Sequence, residues 1–341
     1  MSAPKSRLAA VFVVVVAAIV GGAAVAPYAL GSADDTESDP VTVENQQFQP
    51  GTILPDETAE EGEISMESDA TGKTVLVDVG HQNGVTKTQL EPLLSTLVEN
   101  GHRIRFYRGQ RQSLNESLRA ADAFLVASPQ QRYTSDELAG IEAFTDAGGR
   151  VLVMGDPPSV QVSGGFLFGL GSLQPTAPRT TALGSTYGVG YGSGYLYNMA
   201  ENDNNYKSIF ARPAGDTELT SNVDRVVMRE AVPLRTAGAT SALVGTDGTR
   251  LSTTRDPGEY AVLARSGNVV AVGDTDFVAR ENAYDADNDV LIGNLADFLV
   301  DGEKEPGAPT PPGADQSERP PAGDGGDSEP TPPPTPVPES A

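Results

Sequence analysis

The longest uninterrupted apolar stretch runs from Leu8 to Leu30, LAAVFVVVVAAIVGGAAVAPYAL, without one charged residue. A helix rising about 1.5 Å per residue crosses a hydrocarbon core roughly 30 Å thick over such a length. Lys5 and Arg7 precede it, and Lys73 is the first base after it. Positive charge on the near side predicts residues 1–7 in the cytoplasm and the rest of the chain outside. A cleavable signal peptide, cut near Gly31-Ser32-Ala33, is the competing reading, although such apolar regions usually span about 7–15 residues. Both readings predict an extracytoplasmic domain, and the retained span adds a single-pass membrane anchor.

The pattern changes at Lys73. Thr74–Val79 is a short apolar run ending in the polar loop GHQNG. From Thr86 to Asn100, Leu90, Leu93, Leu94, Leu97 and Val98 recur at helical spacing, which predicts an amphipathic helix stopped at Gly101. Thr86 with Gln89, or Thr88 with Glu91, would make a capping box at its start. His102–Tyr107 and Ala123–Ser128 read as further strands. Thr134 and Glu137 form another box, opening a helix that turns Leu138, Ile141 and Phe144 inward; Gly148-Gly149 ends it and Arg150–Met154 follows as a fourth strand. Strand and helix in alternation predict an α/β domain with a parallel sheet, right-handed connections and helices on both faces.

The second half is less regular. Ser163–Gly194 is glycine-rich with Tyr187, Tyr191, Tyr195 and Tyr197 interleaved in and beside it. Such tyrosines serve either as a stacking surface for sugars or as packed loop residues. Asn222–Leu234 and Ser241–Gly245 look like strands, and Tyr260–Ala264 with Asn268–Val272 form a hairpin about Ser266-Gly267. A final helix, capped by Asn288 or Asp289, packs Leu291, Ile292, Leu295, Phe298 and Leu299 on the sheet.

Charge sharpens the domain plan. Of the net −24, residues 31–72 hold 12 acids and no base, and residues 301–341 hold 9 acids and 2 bases. The intervening residues 73–300 carry only −7. Both flanks lack the large apolar residues that would offset chain entropy, so they read as a disordered acidic stalk and a disordered, Pro-rich acidic tail. The acidity argues against nucleic acid, whose phosphates need clustered Lys and Arg. With 5 Lys against 18 Arg, the composition resembles salt-adapted, haloarchaeal proteins. No cysteine occurs, so the core stands on packing without disulfides.

Candidate chemistry lies where a parallel sheet exposes its carboxyl ends. Asp78, His81, Gln82 and Asn83 follow the first strand, Ser128 the third, and Asp156 the fourth; the first three of these groups share one edge. Asp274 and Asp276 stand in GDTDF near the C-terminal end. Asp78 and His81 could work as an acid/base pair, hold a cation, or only brace their turn. His102 falls at the opposite edge and reads as structural. Asn115-Glu-Ser117 is the one glycosylation sequon. Asp285-x-Asp287-x-Asp289 begins like a calcium loop, but Val290 and Ala296 stand where Gly and the bidentate Glu belong. Two histidines and no cysteine disfavour a zinc site, and no dinucleotide loop or other cofactor motif is present.

From Lys73 to about Pro158, the series TVLVDVGHQNG, ADAFLVASP, helix, GGRVLVMGDPP resembles the class I glutamine-amidotransferase-like superfamily. It is most similar to a membrane-attached branch of unknown function that includes auxiliary subunits of gliding-motility-type ABC transporters. Asp78-Val-Gly-His81, Gly194–Asn198 and Gly273–Phe277 match turns of that branch. The resemblance implies a flavodoxin/amidotransferase-like sheet and a membrane-complex or transporter partner. Active members place a cysteine on the turn that here reads Gly155-Asp156-Pro157-Pro158. A carboxylate lacks the nucleophilicity of a thiolate, so glutamine hydrolysis by that route is excluded. The expectation is a non-catalytic binding domain; the alternative is a surface hydrolase using the Asp78/His81 pair.

Overall fold

Four apolar runs build the parallel half of a mixed α/β domain. In the computed structural model, residues 61–158, 160–163, 172–175 and 179–310 are described, with 160–163 and 172–175 described by their backbone alone. The Leu8–Leu30 segment and most of both acidic flanks lie outside the described residues, and among those described no helix is long and apolar enough to cross a membrane.

β1 (Thr74–Asp78), β2 (Arg103–Tyr107), β3 (Ala123–Ala127) and β4 (Arg150–Met154) alternate with α1 (Glu91–Glu99), α2 (Leu114–Arg119) and α3 (Ser135–Asp146). Among the described residues β5 (Val160–Ser163) and β6 (Ser172–Pro175) pair only with each other. Next come α4 (Thr180–Thr186), β7 (Val189–Tyr191), β8 (Leu196–Tyr197), β9 (Ser208–Pro213), β10 (Val226–Arg229) and β11 (Leu234–Thr236). β12 (Thr240–Gly245), β13 (Arg250–Leu251), β14 (Ala261–Ser266), β15 (Val269–Val272) and α5 (Asn288–Val300) complete the order. The main sheet runs β10-β9-β12-β14-β15-β4-β3-β1-β2. From β15 to β2 every pairing is parallel, and from β10 to β15 every pairing is antiparallel. The chain therefore reverses its direction of travel across the sheet between β1 and β3, the kind of switch point where open α/β sheets form a crevice.

β1 and β3 are buried along their whole length, as continuous apolar runs predict for strands covered on both faces. One face packs Val75, Val77, Leu125 and Leu152 against Leu93 and Leu97 of α1 and Leu291, Ile292 and Leu295 of α5. The other packs Leu76, Phe124, Val126 and Val153 against α2, α3 and α4 through Leu114, Leu118, Ile141, Phe144 and Leu183. Each such buried aliphatic or aromatic side chain is worth about 1.5–3 kcal/mol relative to exposure.

Local starts and stops differ from expectation in instructive places. The Thr86–Gln89 box forms, but it closes the turn before α1, which opens at Glu91 with Pro92 in its first turn. α2, absent from the periodicity, is held by a box between Ser113 and Glu116. The N-cap of α5 is Asp287 rather than Asn288 or Asp289. Asn288 is buried in the helix and grips β10 instead, accepting from Val227 N at 3.0 Å and donating to Val227 O at 3.2 Å. Asp287 takes the backbone amides of Asp224 and Arg225 at 2.8 and 2.9 Å.

The packed chain also begins before Lys73 and continues past Val300, which corrects both expected boundaries. Residues 61–72 form no regular element, yet Ile64, Met66 and Ala70 pack against the core. Glu67 N and Ser68 N donate to Asp297 of α5 at 2.9 and 3.0 Å. Gly293 makes the approach feasible, since a Cβ there would stand 2.2 Å from Ser65 O. On the far side Arg119 Nε donates to Pro309 O at 2.9 Å, and Glu305 N to Ala147 O at 2.8 Å. An apolar residue at alternate positions fastens the upstream segment despite its acid density.

Candidate functional site

Asp78 ends β1, Tyr107 ends β2, and Ser128, Asp156 and Asp274 stand one or two residues beyond β3, β4 and β15. Because these five strands are parallel, all five residues lie at one edge of the sheet. The sequence reading grouped the first strand, the third and the fourth; the parallel placement of β15 adds Asp274 and Asp276. Side-chain contacts then divide the set into two clusters.

The first cluster centres on His81. Its Nδ1 lies 3.0 and 2.9 Å from the two oxygens of Asp78, and its Nε2 lies 3.5 Å from Glu137 Oε1. Tyr133 OH donates a short hydrogen bond to Asp78 Oδ2, and Tyr107 OH donates to Glu137 Oε1 at 3.4 Å. The Tyr133 and Tyr107 rings flank the imidazole, with centroids 4.0 and 5.9 Å away. The side chain of Asp78 is fully enclosed and that of His81 is 7% exposed. Burial by itself would lower the His81 pKa, but the hydrogen bond and charge of Asp78, then Glu137, outweigh it and raise the value above normal. With carboxylates facing both nitrogens, the doubly protonated imidazolium supplies a donor to each. Burial, then the nearby carboxylates, pushes Tyr107 up to about 12 and Tyr133 well above its ordinary range, so both hydroxyls stay donors.

Glu137, Tyr107 and Tyr133 were not among the predicted site residues. Glu137 carried a signal that pointed elsewhere: its Oε2 accepts from Thr134 N and Oγ1 at 2.8 and 2.9 Å as a helix cap. Its other oxygen serves His81. One side chain thus starts α3 and closes the cluster.

The crevice at the β1/β3 switch point is stitched shut by the chain itself. Asn83 Nδ2 donates to Ala127 O at 2.9 Å, Gly84 N to Ser128 O at 2.8 Å, and Gln130 N and Gln131 N to His81 O at 3.0 and 2.9 Å. Ser128 contributes backbone, with φ at +45° and its N–H on Met154 O. Gln82, at φ +51°, is exposed and holds no side-chain contact with the cluster.

The second cluster is made of carboxylates turned onto backbone. Asp274, fully buried, accepts from Arg229 N at 2.7 Å and from Asp276 N at 2.8 Å. Asp156 Oδ1 accepts from Thr275 N and Oγ1 at 2.9 and 2.6 Å. Burial, then the charges of Asp156 and Asp276, holds Asp274 well above the usual carboxylate range, and burial followed by Asp156 raises Asp276. Arg229 Nη2 reaches Asp285 at 2.8 Å and Asp203 at 3.3 Å, so Asp285 braces a strand end. No group of three or more His, Cys, Asp or Glu able to hold a metal ion occurs among the described residues.

Two further candidates resolve into structure. Asn115 sits half-buried in α2, where Nδ2 donates to Asp136 O of α3 at 3.3 Å and Oδ1 is buried. Tyr191 is buried with its hydroxyl on Val153 O at 2.8 Å, and Tyr187 bonds Thr145, whereas Tyr197 meets the exposed Tyr206 edge-on at 6.3 Å.

Residues 93–296 match the family described as a domain of unknown function, DUF4350. The chain belongs to that family. No curated protein matches it. Among solved structures the DUF4350 chain is similar to the mmIFT52 N-terminal domain, with 16% identity, a TM-score of 0.53, and coverage of 68% of this chain and 99% of that one. At that identity the likeness concerns the fold alone. More distant likenesses are to a ThuA-like protein from Bacteroides uniformis (12% identity, TM-score 0.40, 71% and 97% covered) and to alpha-L-fucosidase isoenzyme 2 from Paenibacillus thiaminolyticus (12%, 0.41, 68% and 32%). In this DUF4350 domain the turn after β4 is thiol-free and crowded at Gly155. A Cβ on Gly155 would meet the Tyr191 ring at 2.8 Å and Thr180 Oγ1 at 3.0 Å.

Proposed function

We propose that this DUF4350 protein is a non-catalytic binding domain, held outside the cytoplasm by its N-terminal apolar segment. The observation that carries the reading is the saturation of His81. Both ring nitrogens face protein carboxylates, and the side chain is 7% exposed, so neither nitrogen is free to take a proton from a substrate or water. A general base needs a hydrogen-bond path to its reacting group, and here each path ends on Asp78 or Glu137. The thiol-free turn after β4 and the stitched crevice at the switch point support the same conclusion.

The uncharged Leu8–Leu30 run and the bases before it favour a single-pass anchor with the domain outside. The motifs around Asp78, His81 and Gly273–Phe277 favour placement within an amidotransferase-like superfamily, as an accessory of a transporter or another membrane complex. The acid-rich, lysine-poor composition favours a salt-adapted, haloarchaeal source.

The test is a hydrolysis screen of the full chain, in detergent and high salt, against ester, glycoside and peptide substrates. No turnover is expected. A turnover that disappears in a folded His81→Gln variant would instead establish the surface hydrolase. Membrane placement is checked separately by carbonate extraction, with the full chain expected in the pellet and a chain starting at Gly31 in the supernatant.

A further inference from the structure

The loop after β2 narrows what the proposed binding domain would take, and this inference rests on that reading. Between Glu99 and Glu116 the chain has four arginines and no acid, although acids outnumber Lys and Arg two to one overall. Elsewhere Arg212, Arg229, Arg265 and Arg280 each pair with a carboxylate. Arg103 is held by backbone, its Nη2 donating to Gly72 O at 2.8 Å. Arg105, Arg108 and Arg111 make no ion pair among the described residues, and neither do Arg119, Arg132, Arg225 or Arg235, so it is their place in the fold that marks Arg108 and Arg111.

Arg105 has an ordinary explanation. It is exposed on β2, which among the described residues pairs only with β1, and charge on an open strand guards against edge-to-edge association. Arg108 and Arg111 lie past the end of that strand, so edge protection does not account for them. They line a cavity of about 360 Å³ together with Phe106, Gln110, Gln112 and Ser117. That volume is at the small end of the range for small-molecule sites. The cavity lies beyond the carboxyl end of the edge strand β2, next to the β1/β3 switch point and not in it.

Two arginines lining one cavity with no carboxylate beside them concentrate positive charge that an anion would offset. The planar fork of each matches two oxygens of a carboxylate or phosphate. The Gln110 and Gln112 amides offer both donors and acceptors, the complement of hydroxyl groups. We propose that this cavity binds a small hydroxylated ligand bearing an oxyanion, with the charged group between Arg108 and Arg111 and the hydroxyls on the glutamines. An acidic sugar has this chemistry.

Calorimetric titration of the full chain in detergent, at fixed ionic strength, tests it with glucuronate, glucose 6-phosphate and glucose. The first two present a carboxylate and a phosphate on the same hydroxylated ring, which separates the two oxyanion sources; glucose is the uncharged control. Saturable binding of either acidic sugar, at least tenfold tighter than glucose, is expected. The Arg108→Gln/Arg111→Gln variant should lose at least tenfold in affinity with an unchanged unfolding transition, and Arg105→Gln should change it by less than twofold. Equal affinity for all three sugars, no binding of either acidic sugar, or unaltered binding in the double variant overturns the proposal and leaves the binding-domain reading standing. Conversion of a bound sugar to product would sink the non-catalytic reading while leaving the cavity assignment in place.

Discussion

The two polar clusters at the carboxyl edge solve the same problem, a buried carboxylate, in opposite ways. Around Asp78 one backbone N–H, from Gly80, is joined by two side-chain partners, an imidazole and a tyrosine hydroxyl, and the imidazole is shared with a second carboxylate, Glu137. Around Asp274 it is answered by two backbone N–H groups while further acids stand nearby, and the carboxyl responds by holding its proton. The first arrangement keeps full charges in a dry setting, which is costly unless every partner is present. The second tolerates losses, because a neutral acid hydrogen-bonded to backbone needs no counter-ion. A His–Asp pair looks catalytic in sequence; on the non-catalytic reading proposed above, its completeness removes it from chemistry.

The largest expected effect follows from that difference. Replacing Asp78 by Ala leaves His81 and Tyr133 buried without their acceptor, and breaking a buried pair costs about 3–5 kcal/mol. Urea unfolding of the domain should register it directly; a loss below about 1 kcal/mol would mean the cluster is looser than its distances imply. Asp274→Asn should cost less, about 1–3 kcal/mol, since the amide keeps one acceptor and sets an NH2 against one of the two backbone donors.

The clusters also separate along the pH axis. His81 has a raised folded pKa, so the proton bound by the native state stabilises it fully below the unfolded value of about 6.5. That contribution is lost as pH rises through the folded value. Asp274 is raised too, and its sign is the same: the native state holds a proton that the unfolded chain releases near pH 4. Stability from this group falls as pH climbs from about 4 toward its folded value. Wild type compared with His81→Gln should differ in slope only above about pH 6.5, and with Asp274→Asn from about pH 4 upward. Identical slopes for all three would contradict both assignments.

Much of the parallel half was legible in the sequence because its signals are local and strong. TVLVD, AFLVA and RVLVM are continuous apolar runs, Thr134 and Glu137 mark a helix start, and Ser266-Gly267 marks a hairpin. What escaped was either too short or too distant. Six residues of α2 cannot display a helical period, although Ser113 and Glu116 spelled out its cap. Tyr133 meets Asp78 across 55 positions, a contact set by the fold and invisible to spacing. The parallel pairing of β15 with β4 brought Asp274 to the shared edge, and nothing in GDTDF announces which neighbour its strand will choose.

Glu137 offers the finest division between the clusters, because it joins helix capping to the imidazole. Thr134→Ala removes the hydroxyl that accepts Glu137 N at 3.3 Å and donates to Glu137 Oε2 at 2.9 Å. Loss of an N-cap of this kind costs about 1 kcal/mol. If capping were all that Glu137 did, the cost would be the same at pH 5 and pH 8. If the cap also aims Oε1 at His81 Nε2, the penalty should be greater at pH 5, where the imidazolium is fully protonated and its second partner has been set loose. The second cluster supplies the control: Thr275→Ser keeps a hydroxyl for Asp156 and has no route to His81, so its small effect should not change across that interval. A pH-independent cost for Thr134→Ala would reduce Glu137 to a cap and leave Asp78 as the only carboxylate that matters to the histidine.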